Sequence, residues 1–339
     1  MSAPSALDRA ATVYVAGHAG LVGSAIVRHL RAAGFTAVVG ARSAELDLRD
    51  PVATRAWFDH VRPHVVIDAA ARVGGILANS TAPVQFLSDN LRMQLNLLDT
   101  AHEFDVSRLL FLGSSCIYPK FAAQPIAESS LLTGPMEETN DAYAIAKIAG
   151  ITQVQAYRRQ YGRRWISAMP TNLYGPGDNF DLTSSHVLPA LLRKYHEAVQ
   201  GGRQEVTVWG SGTPRREFLH VDDLASACLY LLEHYDDPAP INVGVGEDLS
   251  ISELAGLIAE VVGFTGRTVF DRSKPDGTPR KLLDVGRLTE LGWTSEITLR
   301  DGVAETYDWF VRHHIPQGAL RDQACAHHRH HRPGRLLPR

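Results

Sequence analysis

An α/β fold, with a doubly wound parallel sheet followed by a smaller C-terminal α/β lobe, is what these 339 residues predict. Three observations carry the prediction. Short apolar runs alternate with helix-like segments through the first half, a glycine-rich loop joins the first run to the first helix, and the regularity weakens after Asn172.

In chain order, Val13–Ala16 is an apolar run of strand length. Leu21–Ala33 carries helical spacing, and Ala37–Gly40 is the second strand. Val65–Ala71 is the third. A helix follows with Leu91, Leu95 and Leu98 spaced to share one helical stripe, and Arg108–Gly113 is the next strand. Gly175, Pro176 and Gly177 then break the chain, and the second lobe is expected from there. The expected division is 12–172 for the dinucleotide-binding unit, with about 218–245 as candidates to return to it, and 173–312 mainly for the substrate lobe. Residues 318–339 are expected to form a disordered, solvated tail. That tail holds Cys325, His327, His328, His330 and His331, but their spacing fits no closed zinc site, so no metal is expected.

Composition narrows the function. A hydrophobic share of 45% supports a sizeable core, and a net charge of -3 offers no basic surface for a phosphate backbone, so nucleic acid is not an expected partner. Three widely spaced cysteines suit a reducing compartment rather than a disulfide framework. The stretch Met1–Ala11 contains no long apolar run, so neither a signal segment nor a membrane partner is expected, and the cytoplasm is the default location.

The first strand runs into Gly17, His18, Ala19, Gly20, Leu21, Val22 and Gly23. Glycines there permit a tight turn and let backbone N–H groups approach a pyrophosphate at a helix N-terminus. In this strand-loop-helix context the loop reads as a cofactor cradle, the alternative being a structural turn, and the first lobe as a Rossmann-type sheet. The second strand ends in Gly40-Ala41-Arg42-Ser43. Arg42 and Ser43 suit the extra phosphate of NADP(H), unless Arg42 is only a solvated charge. Asp47 either serves the adenine end or caps a helix.

Tyr143 and Lys147, at i and i+4, share one helical face, where the ammonium would lower the phenol's pKa and make Tyr143 a proton donor to a carbonyl. Leu112, Gly113, Ser114 and Ser115 end a strand on the side where open parallel sheets bind ligands, and Ser114 could bond the same carbonyl oxygen.

Glycine loop, Ser114, Tyr143 and Lys147, in that order, resemble the extended short-chain dehydrogenase/reductase family. Longer stretches are similar to one branch of it, the GDP-L-fucose synthases: 70–76, 112–120, 143–147, 169–176, 209–214, 216–223 and 273–281. This resemblance implies NADP(H) as cofactor, with Pro170, Thr171, Asn172, Leu173 and His186 beside it as well as Lys147. It implies a GDP-linked keto-sugar substrate, epimerised at C3 and C5 and reduced at C4, with Cys116 and His186 as base and acid. Lys194, Trp209, Arg216, Asp276 and Lys281 are carried over to the GDP end, and a homodimer is implied through helices of the first lobe. On residue type alone Cys116 and Trp209 could be packing residues, His186 a helix-start residue and Lys194 a solvated charge. Two departures stand out: Ala19 replaces an arginine frequent in the family's loop, and Lys194 stands where arginine is usual, giving a point charge for a bidentate clamp. The competing readings are a GDP-heptose or other nucleotide-linked 4-keto-sugar epimerase/reductase, and a non-catalytic nucleotide-sensing protein.

Overall fold

The structure is a computed structural model that describes residues 6–274 and 276–314. Its first half alternates as β1 (Val13–Ala16), α1 (Leu21–Ala32), β2 (Val38–Val39), α2 (Pro51–Val61), β3 (Val65–Asp68), α3 (Ile76–Thr81), α4 (Pro83–Glu103), β4 (Arg108–Leu112), α5 (Asp141–Tyr161) and β5 (Arg164–Pro170). The second half continues with β6 (Asn172–Tyr174), α6 (Val187–Gln200), β7 (Glu205–Trp209), β8 (Arg215–Arg216), β9 (Phe218–His220), α7 (Val221–His234) and β10 (Ile241–Val243). It ends with β11 (Leu249–Ser250), α8 (Ile251–Val262), β12 (Arg267–Asp271), β13 (Arg280–Lys281), α9 (Gly286–Leu291) and α10 (Leu299–His314).

Six strands form one parallel sheet in the order β2-β1-β3-β4-β5-β10. Because β2 and β3 lie on opposite sides of β1, the loops leaving β1 and β3 diverge and open a crevice at the carboxyl ends of the strands. Side chains alternate across the sheet. Val13 and Val15 face α1 and α7 with Ile26, Leu30, Leu224 and Leu231, while Tyr14 and Ala16 face Phe58, Leu97, Leu98 and Ile151. Burying each large apolar side chain contributes roughly 1.5–3 kcal/mol, so both faces are held by many small terms. After β9, α7 packs in the same core as α1, and β10 pairs with β5 at the sheet edge. A third core joins α6, α8 and α10 through Leu191, Leu192, Tyr195, Leu254, Ile258 and Phe310.

The leucine stripe of α4 is only partly buried. Leu95 is 44% exposed. The residues that α4 buries are Phe86, Asn90, Gln94, Leu97, Leu98, Thr100 and Ala101. Two of them are amides because the neighbouring backbone needs partners there. Asn90 donates to the Phe86 and Arg72 carbonyls at 2.6 and 3.1 Å, and Gln94 donates to the Ala146 carbonyl at 2.7 Å. The histidine-rich tail lies outside the described residues. Among the described residues no helix is long and apolar enough to cross a membrane, and no cluster of His, Cys, Asp and Glu has metal-ligand grouping.

Candidate active site

The glycine loop leaves β1 with Gly17 at φ 77°, a left-handed turn. A Cβ there would stand 2.7 Å from the Ala69 carbonyl oxygen, and one at Gly23 would collide with the Gly17 carbonyl. The loop is therefore closed tightly by Gly20 N–H donating to the Gly17 carbonyl at 3.0 Å. Gly20 then caps α1 without a side-chain partner, so the first N–H groups of the helix stay free for an anion. The His18 ring lies against Gly40, where any Cβ would strike it. Beyond Gly40, Arg42 and Ser43 are exposed, and Arg42 has no ion pair within 4 Å among the described residues. A dinucleotide diphosphate and an adenosine phosphate fit these groups. Asp47 is otherwise engaged: Arg49 grips its carboxylate at 2.8 Å, and the helix cap is Asp50, which accepts from Val52 and Ala53 N–H.

The ends of β4, β5 and β6 form the far wall. Gly113 is pressed against Met169, leaving no room for a side chain, and its N–H donates to the Ala168 carbonyl at 2.9 Å. Pro170 is in register with Val243, Thr171 N–H donates to the Val243 carbonyl at 3.0 Å, and Asn172 Nδ2 to the Glu217 carbonyl at 2.8 Å. Leu173 packs into the core shared by α1 and α7.

α5 crosses β4 closely because Gly150 leaves room for the Phe111 ring. Lys147, 3% exposed, is thereby brought under the strand, where Nζ donates to the Leu112 carbonyl at 2.8 Å and lies 4.8 Å from the Phe111 ring centre. Burial pushes this ammonium down, and the neighbouring Asp68 carboxylate pulls it back up. Tyr143, one turn earlier, is pushed well above its ordinary phenol value by burial and by Cys116, against a side-chain hydrogen bond with Ser114. The expectation that Lys147 lowers the Tyr143 phenol is thus corrected. Its charge is spent on Leu112 and Asp68, and Tyr143 is held protonated, the form a proton donor needs. Asp68 escaped sequence reading because it closes an apolar run; buried at the end of β3, it is pushed up to about 6 by that burial.

After β4, a single 3₁₀ turn over Ser115–Ile117 is started by Ser114, whose Oγ accepts from Cys116 N–H at 3.2 Å. This aims the Cys116 thiol across the cleft, where Lys281 Nζ meets Sγ at 3.5 Å. Burial pushes the thiol up, but Lys281, the Ser114 hydrogen bond and Arg216 together bring it below its ordinary value. His186 starts α6 without capping it. Its loop meets the one after β3, Gly75 N–H donating to the Ser184 carbonyl at 3.2 Å. The residue as a whole is exposed, yet desolvation by surrounding protein, and then Lys281, lower its pKa. Cys116 and His186 therefore both sense Lys281.

Trp209, which the resemblance carries over to the GDP end, is 57% exposed, so it is not a core residue; Lys194 and Lys274 stand 5.7 and 5.4 Å from its ring. Lys194 is held by the Thr207 carbonyl at 3.1 Å. Asp276 accepts from Ser211 N–H at 2.6 Å and Oγ at 2.8 Å, pinning the turn after Trp209. Arg216, half-buried, has no ion pair within 4 Å among the described residues, and burial lowers its pKa against the pull of Cys116, Glu137 and Asp276. Glu137 and Lys120, paired at 3.0 Å beside Cys116, were not singled out from sequence because they lie in a stretch without periodicity.

A glycine cradle at the switch point of a parallel sheet, with Ser, Tyr and Lys at its carboxyl ends, defines a dinucleotide-dependent enzyme of the epimerase and reductase class. Residues 13–244 match the NAD dependent epimerase/dehydratase family, to which the chain belongs. Within it, GDP-L-fucose synthase 1 of Arabidopsis thaliana is 57% identical over 305 residues, covering 90% of this chain and 94% of that protein. GDP-L-fucose synthase of Escherichia coli K12 is 55% identical over 308 residues, covering 88% and 96%. Among solved structures, a GDP-L-fucose synthetase from Naegleria fowleri bound to NADP matches with 34% identity and a TM-score of 0.86, covering 93% of this chain and 96% of that one. A GDP-6-OMe-4-keto-L-xylo-heptose reductase from C. jejuni matches with 33% identity and a TM-score of 0.86, covering 91% and 99%. At that level of likeness the chain belongs with the GDP-L-fucose synthases.

Proposed function

We propose that the protein converts GDP-4-keto-6-deoxy-D-mannose to GDP-L-fucose by epimerisation at C3 and C5 and NADPH-dependent reduction at C4. The observation that carries this reading is the meeting of Cys116, Ser114 and Tyr143 in one cleft of a chain 57% identical to a GDP-L-fucose synthase. A ketone oxygen lodged between Ser114 and Tyr143 activates the hydrogens on both neighbouring carbons. Cys116 as thiolate removes one of them, the electron pair moving to the ketone oxygen, and His186 returns a proton from the opposite face. Tyr143 then protonates the C4 oxygen. NADPH, when bound, supplies the hydride for C4; the loop 17–23 would hold its diphosphate and Arg42 with Ser43 its adenosine phosphate. Trp209 offers a flat wall to the guanine or sugar, and Arg216 a donor fork to the diphosphate.

The heptose reading is supported by solved structures at 32–34% identity, against curated fucose synthases at 54–57%. We also assign residues 12–172 with about 218–245 to the cofactor-binding unit, a homodimer as the assembly and the cytoplasm as the location, the last from unpaired Cys116 and Cys228. The test is to mix purified protein with NADPH and GDP-4-keto-6-deoxy-D-mannose, following cofactor absorbance and product by NMR. GDP-L-fucose in step with NADPH loss is expected. Oxidation only with a GDP-keto-heptose would move the assignment to that substrate, and cofactor binding without turnover of either would make the protein a sensor.

A further inference from the structure

The family resemblance carries Lys281 to the GDP end, yet its ammonium is in contact with sulfur, donating to Cys116 Sγ at 3.5 Å. It reaches the thiol from β13, whereas Cys116 sits on the turn after β4, so only tertiary structure joins them. The neighbouring charges on the other elements do not duplicate it. Arg216, from β8, acts on the thiol through space without bonding to it. Lys120 is neutralised by Glu137 at 3.0 Å, and Arg280 is paired to Asp248 at 2.5 Å. Tyr143, from α5, is neutral while protonated and gives the thiol no positive charge.

We propose that Lys281 is the activator of Cys116: its ammonium, in contact with Sγ, holds the sulfur as the thiolate that removes the sugar's proton. The inference rests on the reading of Cys116 as the base. In the step, the C–H bond beside the ketone breaks, the S–H bond forms, and the electron pair moves to the ketone oxygen. Lys281 keeps its proton throughout. Ser114 supports the same state, since it bonds the turn that carries the thiol and its hydroxyl lies beside the sulfur.

A thiol's alkylation rate follows its thiolate fraction, so the proposal is tested without any sugar. The rate of Cys116 carboxamidomethylation by iodoacetamide is measured across about pH 6 to 9, a range that brackets the ordinary thiol. Cys116 is followed by peptide mass spectrometry, which separates it from the fully buried Cys228. Wild type, Lys281→Met and Lys281→Arg are compared, each checked for native circular dichroism. The expected result is a several-fold slower reaction at neutral pH in Lys281→Met, with the profile moved to higher pH, and recovery of most of the rate in Lys281→Arg. If Lys281→Met keeps the wild-type profile while KM for the GDP-sugar rises, the lysine is a phosphate ligand only and the proposal is overturned. Equal slowing in both variants would also overturn it, because a conserved positive charge would then not be what matters. A Cys116 that alkylates as proposed in a protein that does not turn over the fucose precursor would sink the substrate reading and leave this one standing.

Discussion

In the proposed mechanism the Cys116 thiol removes a carbon-bound proton, and Ser114, Lys281 and Tyr143 around it decide whether it can. The positive neighbours favour thiolate, whereas burial and the same thiolate keep Tyr143 protonated, so the two groups are driven to opposite states by one environment. Base and acid are then separable by mutation. In deuterated water without NADPH, Cys116→Ser should slow deuterium uptake at C3 and C5 by about 100-fold or more, the usual worth of a positioned base. Tyr143→Phe, by contrast, should leave part of that exchange and suppress NADPH oxidation by a similar factor. NMR of the exchanged sugar and cofactor absorbance read the two steps independently. Equal loss of both in Cys116→Ser would mean that the sulfur does not have a role of its own in epimerisation.

Elements were legible where their signal is local. The run Val13–Ala16 and the glycine loop behind it announce β1 and α1, since strand burial and helix start are both written in adjacent residues. On α4 local spacing marks the helix but not which face is buried, because the buried face follows what α5 and the loop after β3 need, which includes the amides of Asn90 and Gln94. The Tyr143–Lys147 spacing was readable, but not the carbonyl of Leu112 that claims the ammonium. Glu217 is the extreme case. It is fully buried between β8 and β9, and its carboxylate accepts from Val245, Gly246 and Leu283 N–H at 2.6, 2.8 and 3.1 Å. Those partners lie 28, 29 and 66 residues away, beyond any periodicity. This side chain ties the segment after Lys281 to the β8–β13 ladder, in which Lys281 already stands in register with Arg216. Glu217→Gln replaces one acceptor oxygen by a donor and leaves a buried N–H without its bond, at a cost of about 2–3 kcal/mol. Urea unfolding should register that loss. An unchanged urea midpoint would remove Glu217 as the tie.

Over the whole molecule, buried carboxyls pull the pH dependence of stability in a direction that surface ion pairs oppose. Burial would raise Asp236, but Arg164 and Arg158 outweigh it, and Arg280 and Arg215 do the same for Asp248. Stability from such depressed carboxylates is present above their unfolded values and lost as pH falls through the folded ones. Asp178 works the other way. It lies in the loop between β6 and α6, 7% exposed, with Oδ1 accepting from Asn179 N–H at 2.7 Å and Oδ2 buried without a partner. Burial pushes it up to about 7, against that single bond. The unfolded chain therefore releases this proton first as pH rises, and the folded state loses stability between the ordinary carboxyl range and about 7. The full effect is a few kcal/mol at roughly 1.4 kcal/mol per unit. Asp178→Asn keeps the acceptor for Asn179 and cannot ionise. Its amide nitrogen gains no partner either, a cost that does not vary with pH. Relative to wild type, the variant should therefore gain stability from about pH 4 to about pH 8, by an amount urea titrations at the two ends can resolve. A difference between the two proteins that stays constant across that range would show that Asp178 ionises in the fold as readily as in the unfolded chain.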